Sequence, residues 1–575
     1  MPIFSPIKRL IPVLTASNTA ADSAAPLGLA SIRTQYLPQL PALPNLPKRA
    51  AASARRLLPV LPFNKKPDLE VLIIGAGVSG IATASHLQRD KLLSPLITHK
   101  KVAIVEKRAA IGGTWDLFKY PGIRSDSDMT TFGFAHRPWL GKKTLADAAS
   151  IKRYIEDTAT EENLQPLIHF NTEVSALNWS SRHQYWQAQL TDVTTGQTRH
   201  ITARFVIGAT GYYDYDAGYQ PVFKGQQAFN GKIVHPQLWD ETIDYDNKRV
   251  VVIGSGATAV TLVPALLSRD AYLASASPAK PQVAAQVIML QRSPTYIASI
   301  PSEDPSYVLL TERFKLPPNA AYSLVRGRNI LLQQSLYRLS RVAPKLLKTI
   351  LTQRNKYALK GSGVALNHFV PDYNPWDERL CAVPDGDLFK AMHTGHADVV
   401  TDHIDHFTKD GIQLASGRHL PADIIITATG LKLQMLGGAK LTVDGKALDV
   451  SARMSYKAVL LEGVPNMAVL FGYTNASWTL KIDLAAAYLT RLLRHMHHYG
   501  YKSVIPDAVA TDGEQANRLP DTVMGSLSAG YIQRAQNTLP KQGDRYPWYV
   551  TNNYLSDRMM LKQHRVHDKW LRFGR

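Results

Sequence analysis

Cysteine is almost missing from this chain: Cys381 stands alone among 575 residues. One thiol closes no intramolecular disulfide, builds no thiolate metal cluster and forms no CxxC pair, so dithiol chemistry is excluded and a reducing compartment is the natural setting. Long apolar runs are missing too. The longest, around Leu72 to Ala84, is broken by three glycines and reads as a strand entering a helix, which argues against a membrane span. Acids are scarce: 46 Asp and Glu against 66 Lys and Arg leave a formal charge of +20. The cations are spread along the chain, so they fit anionic cofactors or a membrane surface and make no nucleic-acid footprint.

The shortage of acid is sharpest at the start, where residues 1–67 carry nine Lys and Arg against Asp22 alone. This Ala/Pro/Ser-rich leader fits an organelle-targeting segment and a flexible, surface-associating arm equally well. The rest, in a chain that is 45% hydrophobic, is enough for roughly two to four structural domains.

After the leader comes "DLEVLIIGAGVSGIATASHL", an apolar strand, a glycine turn and a helix. Gly75 suits the tight turn, Gly77 lets backbone approach a pyrophosphate, and Gly80 allows close helix-to-strand packing with the helix N-terminus facing phosphate. The following strand, "KKVAIVEKR", ends in Glu106, placed to accept hydrogen bonds from a ribose diol. The plan repeats at "KRVVVIGSGATAVTLVPAL", with Gly254, Gly256 and Ala259 in the three glycine positions. Its next strand ends in Gln291 and Arg292, where an NAD site would carry an acid. Arg292 can pair with a 2′-phosphate, so the second nucleotide is expected to be NADPH. Two dinucleotide sites are therefore predicted, with Ser268 to Gln286 as a surface insertion in the second unit.

"RFVIGATGYY" and "ADIIITATGLK" each end a strand in Ala-Thr-Gly, as expected where backbone leaves one nucleotide domain close to a cofactor or, equally, in an ordinary buried turn. Between Tyr307 and Leu359 the chain turns helical, apolar and basic, with Arg326, Arg328, Arg338, Arg341, Lys345, Lys348, Arg354 and Lys356 interleaved and Pro344 dividing the run. It fits the solvated face of an inserted helical subdomain, the cap of a substrate cavity, or a helix on an anionic membrane.

Two further motifs carry a specific likeness. "GGTWDLFKYPGIRSDSD" sets Gly112, Gly113, Trp115, Tyr120, Pro121, Gly122 and Asp126 at fixed spacing, and "FNGKIVHPQLWD" sets Phe229, Gly231, His235, Trp239 and Asp240. With the two glycine loops they complete both fingerprints of the type I Baeyer–Villiger monooxygenases, which the chain resembles from Leu69 to about Asp557. "YNPWDERLCAVPDGDLFKA", "GYTNASWTLK" and "SAGYIQRAQNTLPKQGDRYPW" look most like the ethionamide-activating branch. The basic leader and the Ser268 to Gln286 insertion depart from that pattern without touching a matched motif.

The resemblance implies FAD in the first site and NADPH in the second. It implies that dioxygen, taken up by reduced flavin as a C4a-peroxide, is used to turn ketones into esters or lactones, with thioether sulfoxidation as a side activity. Catalytic roles fall by the same resemblance on Arg379 as the permanent positive charge and on Asp126 as the carboxylate that orients it. A surface ion pair made by Glu378 or Arg379, and a turn or cap role for Asp126, are the plainer alternatives. Gly113, Thr114, Trp115, Tyr120 and Trp478 are expected near the flavin, the aromatics as walls or as core. "FNGKIVHPQLWD" is expected to join the two nucleotide domains, with Gly231 at a tight bend and His235 and Trp239 as a latch; no ligand partner at metal spacing accompanies His235.

The expected fold is α/β, with two Rossmann-like dinucleotide-binding domains and an inserted helical subdomain. The leader is 1–67, the first part of the FAD domain 68–228, the linker and NADPH domain 229–430 with its helical insertion at about 305–365, and the return to the FAD domain 431–575. N- or S-oxygenation as the main activity and a non-catalytic nucleotide-binding, membrane-associated protein are the competing functions. A disulfide reductase, which shares paired nucleotide domains, lacks its second cysteine here. Cytoplasmic and membrane-associated locations both stay open, as does the oligomeric state.

Overall fold

The computed structural model describes residues 66–575 apart from 99, 270–281, 379, 526 and 528. Residues 1–65 of the leader, most of the Ser268 to Gln286 insertion, and Arg379 lie outside the described residues.

Strand β1 (Leu69–Ile74) is apolar on both faces and runs parallel to β2 (Val102–Val105) and to β6 (Thr198–Gly208). Val71 and Ile73 point into one apolar cluster, Leu72 and Ile74 into another, so this sheet is covered on both sides. Two-sided burial is the reason its central strand reads as a continuous hydrophobic run. Helix α1 (Val78–Arg89) makes the crossover from β1 to β2. Short helices α2 (Thr114–Leu117) and α3 (Met129–Phe132), then α4 (Ala148–Glu161), lead to β3 (Ile168–His169). An antiparallel meander of β4 (Thr172–Ser180), β5 (Tyr185–Asp192) and β6 follows, stapled by the cross-strand pair Trp179 and Trp186. The chain then leaves this sheet and returns to it later through Lys440–Val443, parallel to β4, and Met467–Val469, parallel to β6.

The second sheet has the strand order Ala397–Thr401, Gln286–Gln291, Arg249–Ile253, Ile424–Thr427, Lys232–Val234, with every pair parallel. It is built from β7 (Lys232–Val234), β8 (Arg249–Ile253), β9 (Gln286–Gln291) and β12 (Ala397–Thr401), with α5 (Ala257–Leu266) crossing from β8 to β9. Strand β7 lies inside "FNGKIVHPQLWD", so that segment is more than connecting chain: it supplies an edge strand. A side pair, β10 (Tyr296–Ile300) and β11 (Leu380–Pro384), runs parallel beside this sheet.

Between β10 and β11 stand α6 (Pro318–Val342) and α7 (Pro344–Ala358), divided at Pro344 as the sequence indicates. Pro344 has no N–H to give the preceding turn and suits a helix start, so α6 ends and α7 begins there. The final long helix, α8 (Trp478–Tyr499), shares a core with α1 and stops at Gly500 in the left-handed region. The architecture is α/β, with two Rossmann-like units and an inserted helical pair.

Candidate active site

At the end of β1, Gly75 has φ +105°, and a Cβ on it would stand 2.7 Å from the Ala209 carbonyl oxygen. A Cβ on Gly80 would fall 1.9 Å from the Gly75 carbonyl oxygen. These two glycines let α1 drop onto the strand end, aiming its unpaired N-terminal N–H groups at the space above the sheet. Gly77 is the N-cap of α1 and packs against Gly113, where a Cβ would stand 3.1 Å from the Gly77 Cα. Glu106 sits just beyond β2, buried, with one oxygen accepting from the Ala76 amide at 2.8 Å and the other from the Arg108 amide at 2.9 Å. Burial pushes its carboxyl up from the usual range, against the pull of those two amides and the Arg108 charge. Each oxygen keeps a second lone pair for a ligand hydroxyl.

The second loop repeats this plan. Gly254 has φ +133° and a Cβ on it would meet the Ala428 carbonyl oxygen at 2.4 Å. Here too an Ala-Thr-Gly exit supplies the carbonyl that excludes a side chain. The finish differs: a Cβ on Gly256 would meet nothing within 4 Å, and Ala259 already carries a fully buried methyl. Gln291 is buried and donates to the His368 carbonyl at 2.7 Å and to Thr401 at 2.8 Å, whereas Arg292 is exposed. The Arg292 charge reaches Glu378, whose carboxyl burial pushes up and Arg292 pulls back.

The "GGTWDLFKYPGIRSDSD" segment is a strap across both units. It begins against the first loop through Gly113, while Trp115 meets Phe132 edge-on at 6.1 Å. It then crosses to the second unit, where Phe118 and Tyr120 join that unit's core, with Thr258 of α5 beside the buried Tyr120 hydroxyl. Tyr120, expected as a wall of the flavin pocket, thus reaches the cleft from the second unit's side. A Cβ on Gly122 would stand 2.6 Å from that of Ala265 on α5, so the strap lies flat on the helix only with glycine there.

Two carboxylates of the strap were not singled out by sequence. Asp116 is buried and held by Arg108 at 2.6 Å and by Lys152 of α4 at 2.8 Å. Burial alone would push its carboxyl up, but the two cations hold it below the usual carboxylate range. Asp128 caps α3 by accepting the Thr131 amide at 3.0 Å and also accepts from Asn329 of α6 at 2.9 Å. The cap weighed for Asp126 therefore belongs to Asp128, while Asp126 faces the cleft and is exposed.

One cleft of about 460 Å³ collects these parts. Gly75, Gly77, Glu106, Gly113, Thr114, Trp115, Tyr120 and Asp126 line it from the first loop and the strap, and Gly256 from the second loop. Trp376, Glu378, Leu380 and Cys381 close one side, flanking position 379, and Trp478 another. The Trp478 ring lies flat on Gly472 and its Nε1 donates to Ser79 at 2.9 Å. Gly80, Gly254, Ala259 and Arg292 do not line the cleft; the first three shape its walls from behind. Nor do Phe229, Gly231, His235, Trp239 and Asp240. They clamp the edge of the second sheet instead: Phe229 packs into the core on one face of that sheet and Trp239 against the core on the other. His235 lies against Gly218, and its Nδ1 accepts from the Gln237 amide at 3.2 Å. The need for glycine at 231 comes from close approach, since a Cβ would stand 2.2 Å from the Asp423 carbonyl oxygen, rather than from a positive φ at a tight bend. Asp240 accepts from the Thr242 amide at 2.9 Å and hydroxyl at 2.6 Å.

Residues 72–284 match a family model described as pyridine nucleotide-disulphide oxidoreductase. The chain is 50% identical over 507 residues to the "Probable FAD-binding monooxygenase AlmA" of Acinetobacter baylyi, covering 88% of this chain and 96% of that one. It is 44% identical over 509 residues to the FAD-containing monooxygenase EthA of Mycobacterium tuberculosis, covering 88% and 98%. The chain belongs to the FAD-containing monooxygenases. Among solved structures, OTEMO in complex with FAD and NADP matches with a TM-score of 0.65 at 20% identity, over 89% of this chain and 100% of that one. An oxidized steroid monooxygenase bound to NADP matches with a TM-score of 0.65 at 17% identity, over 88% and 99%. These likenesses show the fold. Within this monooxygenase a dithiol step has no second thiol, and Cys381 is buried.

Proposed function

We propose that this monooxygenase uses FAD and NADPH to insert one oxygen atom of dioxygen into ketones, giving esters or lactones, and oxidises thioethers as a side activity. The observation that supports the reading is one shared cleft lined by residues of both glycine loops, by the strap carboxylate Asp126 and by Glu378 and Leu380 on either side of position 379. When bound, FAD accepts electrons from NADPH and passes oxygen from dioxygen to the substrate.

The chain's own residues bind, orient and charge the site. The α1 N-terminus and Gly77 would hold the FAD pyrophosphate and Glu106 its ribose; Gly113 and Thr114 close over that loop. The α5 N-terminus with Gly256 would hold the NADPH pyrophosphate, and Arg292 its 2′-phosphate. Arg379 is the cation assigned to the negative charge that develops on the substrate oxygen, since a guanidinium stays protonated through the whole reaction. Asp126 would orient it. His235 and Trp239 are assigned to steadying the edge of the second sheet, so that the nicotinamide reaches and leaves the flavin in register.

A mixture of one ketone and one thioether of similar size, supplied with NADPH and oxygen, separates the readings. Ester as the main product, lost in Arg379→Ala with flavin reduction intact, supports Baeyer–Villiger oxygenation. Sulfoxide as the main product, unaffected by Arg379→Ala, would assign the enzyme to S-oxygenation.

A further inference from the structure

From Arg313 to Pro371 the sequence contains eleven Lys and Arg residues and neither Asp nor Glu. This stretch forms α6 and α7, and the two faces of α6 are used differently. Its inner face is engaged with the protein: Asn329 donates to Asp128 and Thr130, Arg326 to the Thr130 and Gly133 carbonyls, and Ile330 packs with Tyr473 and Leu480. Phe132 of α3, Tyr473 and Trp376, the last beside Tyr337 of α6, are walls of the cleft. The helix thus stands directly behind the cavity.

The outer face is apolar and basic. Leu324, Leu331, Leu332 and Val342 on α6 and Leu346 and Ile350 on α7 are exposed, Leu331 at 58% and Val342 at 76%. Leu324, Leu331 and Val342 share one face of α6 and Leu346 and Ile350 one face of α7, with Val342 and Leu346 on either side of Pro344 in sequence. Tyr357, at 83%, ends the second stripe. Among the described residues Arg338, Lys345, Lys356 and Lys360 have no carboxylate within ion-pair distance. Water is a poor partner for leucines in such a row. A nucleic acid would meet the charges but not the leucines. A second copy of this chain, docked by two-fold symmetry, would set cation against cation with no acid between them.

We propose that the outer face of α6 and α7 docks on an anionic lipid bilayer, with the leucine stripe sunk among the acyl chains and the lysines and arginines at the headgroups. No helix among the described residues is long and apolar enough to cross a membrane, so the contact is interfacial. In that pose α6, with α3 and Tyr473 packed on its inner face, separates the lipid from the cleft, which places the enzyme to take apolar substrates from the membrane; this last step rests on the proposed oxygenase reading, whereas docking does not.

The test is co-sedimentation of the full-length, flavin-loaded enzyme with phosphatidylglycerol/phosphatidylcholine vesicles and with phosphatidylcholine alone. Binding to the anionic vesicles, weakened by salt, is expected. Leu331→Gln/Leu332→Gln should lower the partition coefficient at least tenfold, and Arg338→Gln/Lys345→Gln roughly ten- to thirtyfold at low salt. Circular dichroism melts matching the parent would show that both variants are folded. The basic leader is unchanged in these variants, so undiminished binding in both overturns the proposal and moves the contact elsewhere. A parent that ignores the vesicles, or leucine variants that only convert a dimer to a monomer in size-exclusion light scattering, overturns it equally. Failure of the oxygenase reading would show as absent ester product with vesicle binding intact.

Discussion

In the first glycine loop the Ala209 carbonyl sits over Gly75, and in the second the Ala428 carbonyl sits over Gly254, so one strand-turn-helix plan is built twice around an Ala-Thr-Gly exit. The two are finished differently. Over the first lies the strap, with Gly113 against Gly77, and its strand ends in a buried carboxylate; the second is open at Gly256 and ends in an exposed cation. A closed, acid-marked loop suits a nucleotide kept as part of the fold. An open, cation-marked loop suits one that is bound and released on each turnover.

The largest break in that comparison comes at the third glycine position. Gly80→Ala would drive a methyl to within 1.9 Å of backbone oxygen, which no rotamer can relieve. We expect a loss of at least about 3 kcal/mol in denaturant unfolding and purified protein stripped of flavin absorbance. If the variant purified yellow and unfolded with its parent, the tight first loop would not be what retains the flavin.

Acid should also strike the two units unequally. In the first, His136 stacks on Phe134 and meets His86 edge-on, and neither ring nitrogen has a hydrogen-bond partner among the described residues. Burial, with help from His86, Arg89 and Arg137 and against Asp483, pushes its pKa down to about 4. In the second unit His235 is also pushed down by burial, opposed by the Gly430 and Tyr219 backbone. A histidine held neutral in the fold but protonated near pH 6.5 when unfolded contributes full stability above that pH and loses it as pH falls toward the folded value. His136 alone should therefore cost roughly 2–3 kcal/mol between pH 6.5 and 4. Denaturant titrations across that range should show a slope that His136→Phe flattens; an unchanged slope would mean that its ring is solvated.

For NADPH selectivity, the comparison rests on Arg292 against Glu106. If Arg292 holds the 2′-phosphate as proposed, replacing it by Gln should raise the KM for NADPH about tenfold or more and leave that for NADH, which lacks this phosphate, nearly unchanged. Steady-state rates with both coenzymes decide it. Equal losses would place the 2′-phosphate elsewhere.

Much of this contrast was legible in the sequence because it is local. An apolar run, a glycine triplet and a strand-end residue lie within about 30 residues of each other, and backbone geometry dictates each. The strap's second half was not legible, since the reason for Gly122 is a methyl on Ala265, in a different unit. Asp128 escaped for the same reason: alone it is one acid in "SDSD", and only the fold brings Asn329 to it. Strand β7 was hidden because three residues at a sheet edge carry too little periodicity to announce a strand, and its neighbour, Ile424–Thr427, comes late in the chain. The cations of 313–371 were visible in full, but which of them face inward was not: Arg326 and Arg328 lie two residues apart, yet the first bonds to backbone around α3 and the second to Asp304.

The smallest effect tests whether the second loop has the slack that the first lacks. Ala259 is the counterpart of Gly80, fully buried in the first turn of α5. Ala259→Gly removes one buried methyl and loosens the helix start, which together should cost about 1 kcal/mol in unfolding and leave the KM for NADPH as it was. The sign is the opposite of crowding: glycine here only removes packing. Should Ala259→Gly stabilise the protein or tighten NADPH binding, the methyl would be pressing on its neighbours. The second loop would then be strained by the same contact that makes glycine obligatory at position 80, and the two loops would differ in degree rather than in kind.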